Sequence, residues 1–192
     1  MLIEKLRNYR PKNDQEAVDK TTILEFLTHH SNAFSRENRF GHITSSAIIV
    51  NPAMTKVVFA YHKIYDAWGW VGGHNDGNPN TLEVALKETK EETNLKHVYP
   101  YSEDIFMIDV IYVAAHYKSG EYIGDHLHLN LTYLLIAPDH QPLDYNPKEH
   151  KGIQWFDIET VLDFVDEPRM IPVYTKAFNA IKAIKSANNL DK

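Results

Sequence analysis

The stretch GGHNDGNPNTLEVALKETKEETNL, from Gly72 to Leu95, decides how the rest of the chain is read. Two adjacent glycines precede a polar loop. Asn80 followed three residues later by Glu83 has the form of a capping box, so a helix is predicted to start near Thr81. Asn94 stands where a helix often ends in left-handed geometry. At ~100° per residue, Leu82, Ala85, Leu86, Thr89 and Thr93 fall on one face of this helix. Glu88, Glu91 and Glu92 fall together on a neighbouring face. Like charges at helical spacing repel, so the cluster needs a reason. One reading is a solvent-facing charged helix softened by Lys87 and Lys90. The other is a set of oxygen ligands for a hard divalent cation.

The surroundings favour the second reading. An aromatic strand, AWGWV, leads into the glycines, so backbone carbonyls can approach the same point as the carboxylates. With this context the stretch resembles the signature of the Nudix hydrolases, G-x5-E-x7-R-E-U-x-E-E-x-G-U, where U is aliphatic. Aligned on Glu91 and Glu92, the signature places its first glycine at Gly73, its single Glu at Glu88 and its final aliphatic residue at Leu95. The chain departs from it at Pro79, Lys87, Thr89 and Asn94. Lys87 keeps the charge of the expected Arg without its planar fork, and Asn94 tolerates the left-handed conformation as Gly does. The HNDGN loop, with Asp76, is similar to the HADGD variant of some members.

The resemblance implies an α/β (α+β) fold of the Nudix type, an α/β/α sandwich with a mixed sheet, over residues 41–192. Residues 1–40 form an N-terminal helical extension outside it. It implies hydrolysis of the pyrophosphate bond in a nucleoside diphosphate linked to another moiety, with Mg²⁺ or Mn²⁺ as cofactor. Glu88, Glu91 and Glu92, with the Gly72 carbonyl, are the implied metal ligands. Glu149, in KEHKGIQWF ahead of Trp155, is the candidate fourth acid, and either Glu88 or Glu149 is the candidate base. His74, beside the glycines, is a candidate phosphate contact. Tyr112 lies where dinucleoside polyphosphate hydrolases of the family carry a Tyr, and a chain without Cys is a poor candidate for the isopentenyl diphosphate isomerases of this fold. A non-catalytic Nudix-like module that senses a nucleotide is the alternative.

The remaining segments follow from periodicity. Residues 14–33 read as an amphipathic helix bearing Val18, Ile23, Leu24 and Leu27, with Asp14 as its N-cap. SSAIIV and KVVFAY read as a hairpin, and IFMIDVIYVAAHY and HLHLNLTYLLIA as an antiparallel pair. In the last of these His126, His128, Asn130 and Thr132 alternate with leucines. That polar stripe lines a substrate cleft or, the reading favoured here, faces solvent on an edge strand. Trp68 and Trp70 are read as core residues. GIQWFDIETVLDF reads as a strand entering a short helix, and VYTKAFNAIKAIK as a closing helix with Tyr174, Phe178, Ile181 and Ile184 on one side.

Composition excludes several function classes. The net charge of -6 over 192 residues argues against duplex nucleic acid as a partner. A small anionic nucleotide-type diphosphate remains compatible if metal ions supply positive charge locally. The chain has no Cys, which excludes disulfides, thiolate metal sites and a Cys nucleophile and fits a reducing compartment. No apolar run reaches ~18 residues, so no membrane partner is expected and a cytoplasmic location is the default. The extension either covers one end of the cleft or forms a homodimer contact.

Overall fold

A computed structural model describes residues 2–118 and 120–190. In chain order they form α1 (Leu2–Asn8), α2 (Asp14–His29), β1 (Gly41–Val50), β2 (Lys56–His62), β3 (Ala67–Gly69), β4 (Val71–His74) and α3 (Thr81–Thr93). Next come β5 (Tyr99–Pro100), β6 (Met107–Val113), β7 (His116–Lys118), β8 (Glu121–Ile123), β9 (His126–Ile136) and β10 (His150–Asp157). A 3-10 turn at Val161–Phe164 and α4 (Ile171–Leu190) complete the described chain. Eight strands share one sheet in the order β10-β2-β1-β9-β5, with β3 on β2, β4 on β1 and β6 on β9, while β7 and β8 form a hairpin of their own. This is the α+β architecture predicted from the sequence. Among the described residues no helix is long and apolar enough to cross a membrane.

Contacts divide the chain into two compact units. The first comprises Met1–Ser46, Gly72–Ala85 and Ser102–Tyr133. In it β6 pairs antiparallel with β9, from Met107 opposite Thr132 to Val113 opposite His126. The other side of β6 meets α2, where the Asp19 carboxylate accepts the Val110 N–H at 2.8 Å and so satisfies a strand donor that no further strand pairs. Lys12 Nζ reaches the Phe106 carbonyl in the same way. Leu6 and Ile23 of the helices and Met107, Ile108, Leu129 and Leu131 of the strands are buried in this unit.

The second unit comprises Ala47–Val71, Leu86–Tyr101 and Leu134–Lys192. Here β2 pairs antiparallel with β10, from His62 opposite His150 to Lys56 opposite Asp157, and with β3, Ala60 opposite Gly69. Tyr174 and Phe178 of α4 stack near Phe59 of β2, with ring centroids 4.8 and 6.3 Å away, so the apolar side of the closing helix is used as its spacing predicts. Fully burying an aromatic or aliphatic side chain of this size contributes about 1.5–3 kcal/mol.

Several local expectations are corrected. Asn13, not Asp14, caps α2, its side chain accepting the Glu16 N–H at 2.9 Å. Val18 is exposed, because the helix presents Glu16 and Ile23 inward instead. The aromatic strand breaks at Trp70, and both Trp68 and Trp70 are half-buried rather than core. Beyond β6, His116–Lys118 and Glu121–Ile123 pair antiparallel as β7 and β8. The largest correction concerns the polar stripe of β9. His126, Asn130 and Thr132 are buried, since β9 lies inside the sheet and not at its edge.

That burial is chemically satisfied in the first unit. Thr44 and Ser46 of β1 both donate to the Asn130 carbonyl oxygen, at 2.9 and 2.8 Å, and the Asn130 amide donates to Thr132 at 2.9 Å. Buried hydroxyls and amides are tolerated when paired in this way. All ten residues of β1 are buried, although its first six are GHITSS.

Gly72 has no room for a side chain. Its φ is +158°, and a Cβ there would lie 2.6 Å from the Ser45 carbonyl oxygen, from Ser46 Cα and from Ser46 Oγ. Two of those three atoms are backbone and cannot rotate away. Gly72→Ala is therefore expected to destabilise the protein by about 1–3 kcal/mol, the usual range for overpacking. Urea denaturation reads this as a lower midpoint at unchanged slope, and an unchanged midpoint would remove the steric account.

Candidate functional site

The loop from His74 to Asn80 positions the start of α3. Asn75 Oδ1 accepts the Ser45 hydroxyl at 2.8 Å, and Asn75 Nδ2 donates to the Asn78 carbonyl at 2.7 Å. Asp76, at φ +48°, and Gly77, at φ +91°, turn the chain back. Arg36 holds Asp76 through both carboxylate oxygens, at 2.7 and 2.5 Å, and Gly77 N–H donates to the Phe34 carbonyl at 2.9 Å. Asn80 Oδ1 then accepts the Glu83 N–H at 3.3 Å. This is half of the predicted capping box, because the Glu83 carboxylate instead accepts from Asn78 Nδ2 at 3.4 Å. At the far end Asn94 adopts φ +57°, as its type allows.

Within the second unit the acidic side chains of α3 differ in environment. Glu91 is exposed, Glu88 is largely shielded and Glu92 is buried. Lys87 Nζ lies 3.1 Å from Glu88 and 3.0 Å from Glu91, so a single ammonium draws the two carboxylates together. Burial pushes the Glu88 carboxyl above its ordinary range; Lys87 works against this, while Glu91 and Glu149 reinforce it. Glu149 is thus within electrostatic reach of Glu88, on the exposed loop ahead of β10, with Asn146 Nδ2 donating to it at 3.4 Å. Carboxylate oxygens are the donors that Mg²⁺ and Mn²⁺ prefer, and the Lys87 ammonium sits between those of Glu88 and Glu91.

Two histidines not singled out from the sequence stand behind Glu92. His150 Nε2 lies 3.4 Å from Glu92 Oε2 and 3.1 Å from His62 Nδ1. His62 Nε2 lies 2.7 Å from the Trp70 carbonyl, which can only accept. With both rings neutral, His62 donates through Nε2 and accepts at Nδ1, and His150 donates to it through Nε2. Burial, reinforced by His62 and Lys63, pushes His150 down to about 4, and burial also lowers His62. The contact with Glu92 therefore has ion-pair geometry but a neutral imidazole at pH 7. The only trace of these residues in the sequence is the His in KEHKGIQWF beside the candidate Glu149.

The first unit gathers other predicted residues into a separate cluster. His74 and His128 have ring centroids 5.0 Å apart, and His42, which the sequence reading passed over, lies 4.9 Å from the first and 5.1 Å from the second. His126 adjoins them through a 3.2 Å contact between its Nε2 and that of His128. Burial depresses the basicity of all three central rings, taking His74 to about 3. Tyr112 is exposed and holds Asp125 by a hydrogen bond, which lowers that carboxyl.

No protein-family model matches the chain, and no curated protein matches it by sequence. Solved structures do. An Ap4A hydrolase from C. elegans, solved as a binary complex, superposes with a TM-score of 0.54 at 16% identity, over 76% of this chain and 98% of that one. A NUDIX-family hydrolase from Clostridium perfringens gives 0.53 at 20%, over 77% and 99%. The E. coli dihydroneopterin triphosphate pyrophosphohydrolase gives 0.50 at 14%, over 73% and 92%. At such identities the likeness is one of fold, and the chain has the Nudix fold.

The histidine pair behind Glu92 gives a direct expectation. His62→Leu leaves the Trp70 carbonyl and the His150 N–H without their partner, and should cost about 1–3 kcal/mol of stability. Denaturant unfolding of wild type and variant checks this, and equal midpoints would show that the contacts hold nothing in place.

Proposed function

We propose that the chain is a divalent-metal-dependent hydrolase of the phosphoanhydride bond in nucleotide-type diphosphates. The observation carrying this reading is the acid set of α3, Glu88, Glu91 and Glu92, set in a fold shared with structures named as an Ap4A hydrolase and a dihydroneopterin triphosphate pyrophosphohydrolase. Glu88, Glu91 and Glu92 would hold Mg²⁺ or Mn²⁺. Such an ion supplies the positive charge that a pyrophosphate needs in an acidic site and lowers the pKa of bound water.

The chain's own groups provide the rest. Water oxygen attacks one phosphorus, the bridging P–O bond breaks and the leaving phosphate carries the electron pair. A carboxylate takes the proton from the attacking water. Glu88 suits that role because burial and the neighbouring Glu91 and Glu149 raise its proton affinity, and Glu149 is the second candidate. His150, held by His62, packs against the Glu92 carboxylate. Lys87 orders Glu88 and Glu91 until positive charge replaces it. Residues 1–40 serve on this reading as a cover for β6.

The test is product release from a panel of nucleotide sugars, ADP-ribose, dinucleoside polyphosphates and nucleoside triphosphates, with Mg²⁺ and with EDTA. Turnover of at least one member should require metal and fall by about 100-fold or more in Glu88→Gln and Glu92→Gln. Turnover unchanged by both substitutions would overturn the proposal. Tight binding of a panel member with no product, in Mg²⁺ and in Mn²⁺, would instead mark a nucleotide sensor.

A further inference from the structure

We propose that His42, His74 and His128 form a binding site for one divalent transition-metal ion of the zinc class, built from different residues than the carboxylate set on α3. Each contributes one ring nitrogen, and these nitrogens all lie within 4.8 Å of one another. A tetrahedral ion with Zn–N distances of about 2.0–2.1 Å needs its ligand nitrogens about 3.4 Å apart. Side-chain rotations of about an ångström would close the cluster around an ion. The rings form a near-equilateral triangle, with centroid separations of 4.9, 5.0 and 5.1 Å.

The hydrogen bonds around the cluster leave lone pairs free for coordination. His42 Nδ1 lies 3.3 Å from the Asn38 carbonyl, so it carries the proton. Its Nε2 is then an unprotonated, buried atom, and among the described residues it has no hydrogen-bond partner. A buried ring nitrogen in that condition calls for a ligand. His126 Nδ1 donates to the Gly124 carbonyl at 2.9 Å, which makes its Nε2 an acceptor. His128 Nε2, 3.2 Å away, therefore donates to it, and the second nitrogen of His128 keeps its lone pair. Outer hydrogen bonds of this type fix the tautomer and aim of metal-bound imidazoles.

The donor set identifies the class of ion. Imidazole nitrogen suits Zn²⁺, Co²⁺, Ni²⁺ and their neighbours, whereas Mg²⁺ prefers oxygen. Three neutral ligands leave the ion with its full positive charge and at least one open position, where water or an anionic oxygen binds. The fold places the set on three strands, with His42 on β1, His74 on β4 and His128 on β9. Sheet hydrogen bonds thereby fix the spacing of the three backbones.

The site is tested independently of hydrolysis. Full-length protein stripped with EDTA is titrated with Co²⁺ in excess Mg²⁺, and the visible d–d bands are recorded for wild type, His74→Ala, His128→Ala and a Glu91→Gln, Glu92→Gln double variant. Circular dichroism checks that each is folded. One Co²⁺ per chain is expected in wild type and in the glutamate variant, with affinity lower by about 100-fold or more when one of three ligands is removed. X-ray absorption of Zn²⁺-loaded wild type provides a readout that needs no variant. Imidazole scattering with Zn–N at about 2.0–2.1 Å is expected. An oxygen-only shell, absence of binding, or wild-type affinity in a folded His74→Ala protein would each overturn the proposal. Turnover plays no part in these readings, so their failure is distinguishable from a failure of the hydrolase assignment.

Discussion

The missing side chain at Gly72 is the constraint on which much of the structure turns. Only an unsubstituted Cα lets β4 lie against Ser45 and Ser46. With the backbone held there, His74 arrives beside His42, and Asn75 reaches the Ser45 hydroxyl. Asn75 then anchors the loop through Asn78, Arg36 secures Asp76, and Asn80 opens α3. The direction of the acid-bearing helix is thus set by a contact made well before its first turn. A helix of 13 residues has little stability alone, so its N-terminal anchoring matters more than its propensity.

The helix and its acids were readable from the sequence because their geometry is local. Spacings of three and four residues, a cap three residues before Glu83 and a left-handed stop at Asn94 all lie within one segment. Spacing alone does not tell that Glu91 is exposed and Glu92 buried. Burial of Glu92 against His150 depends on β10, more than fifty residues away, and periodicity carries no information about it. The histidine cluster was only partly legible for the same reason. His74 stood out by its neighbours, but His42 and His128 join it through strand pairing. Whether an alternating HLHLNLT strand shows its polar face to solvent depends on whether it sits at the edge or inside the sheet. The pairing of β1 and β6 with β9 settles that, and alternation alone does not.

Two donor chemistries run through the molecule, each in its own unit. One is carboxylate, charged and partly open to water, with a lysine already bridging two of its members. The other is imidazole, with His42 ordered by the Asn38 carbonyl and the adjoining His126 by that of Gly124. Hard and borderline cations differ in their preference between oxygen and imidazole nitrogen.

The contact between Asp19 and Val110 reaches beyond the unit that contains it. Beside β9 on one side, β6 would otherwise present a row of unpaired N–H and C=O groups on the other, and MIDVIYV is an apolar sequence rich in β-branched residues. Such a strand is a template for pairing with another chain. Asp19 occupies one donor of that row, Lys12 holds the Phe106 carbonyl just ahead of it, and α2 packs along it. The helix ahead of β1 thereby covers that edge. A nick or trim that released it would leave an adhesive strand edge exposed while leaving α3 and its glutamates covalently untouched.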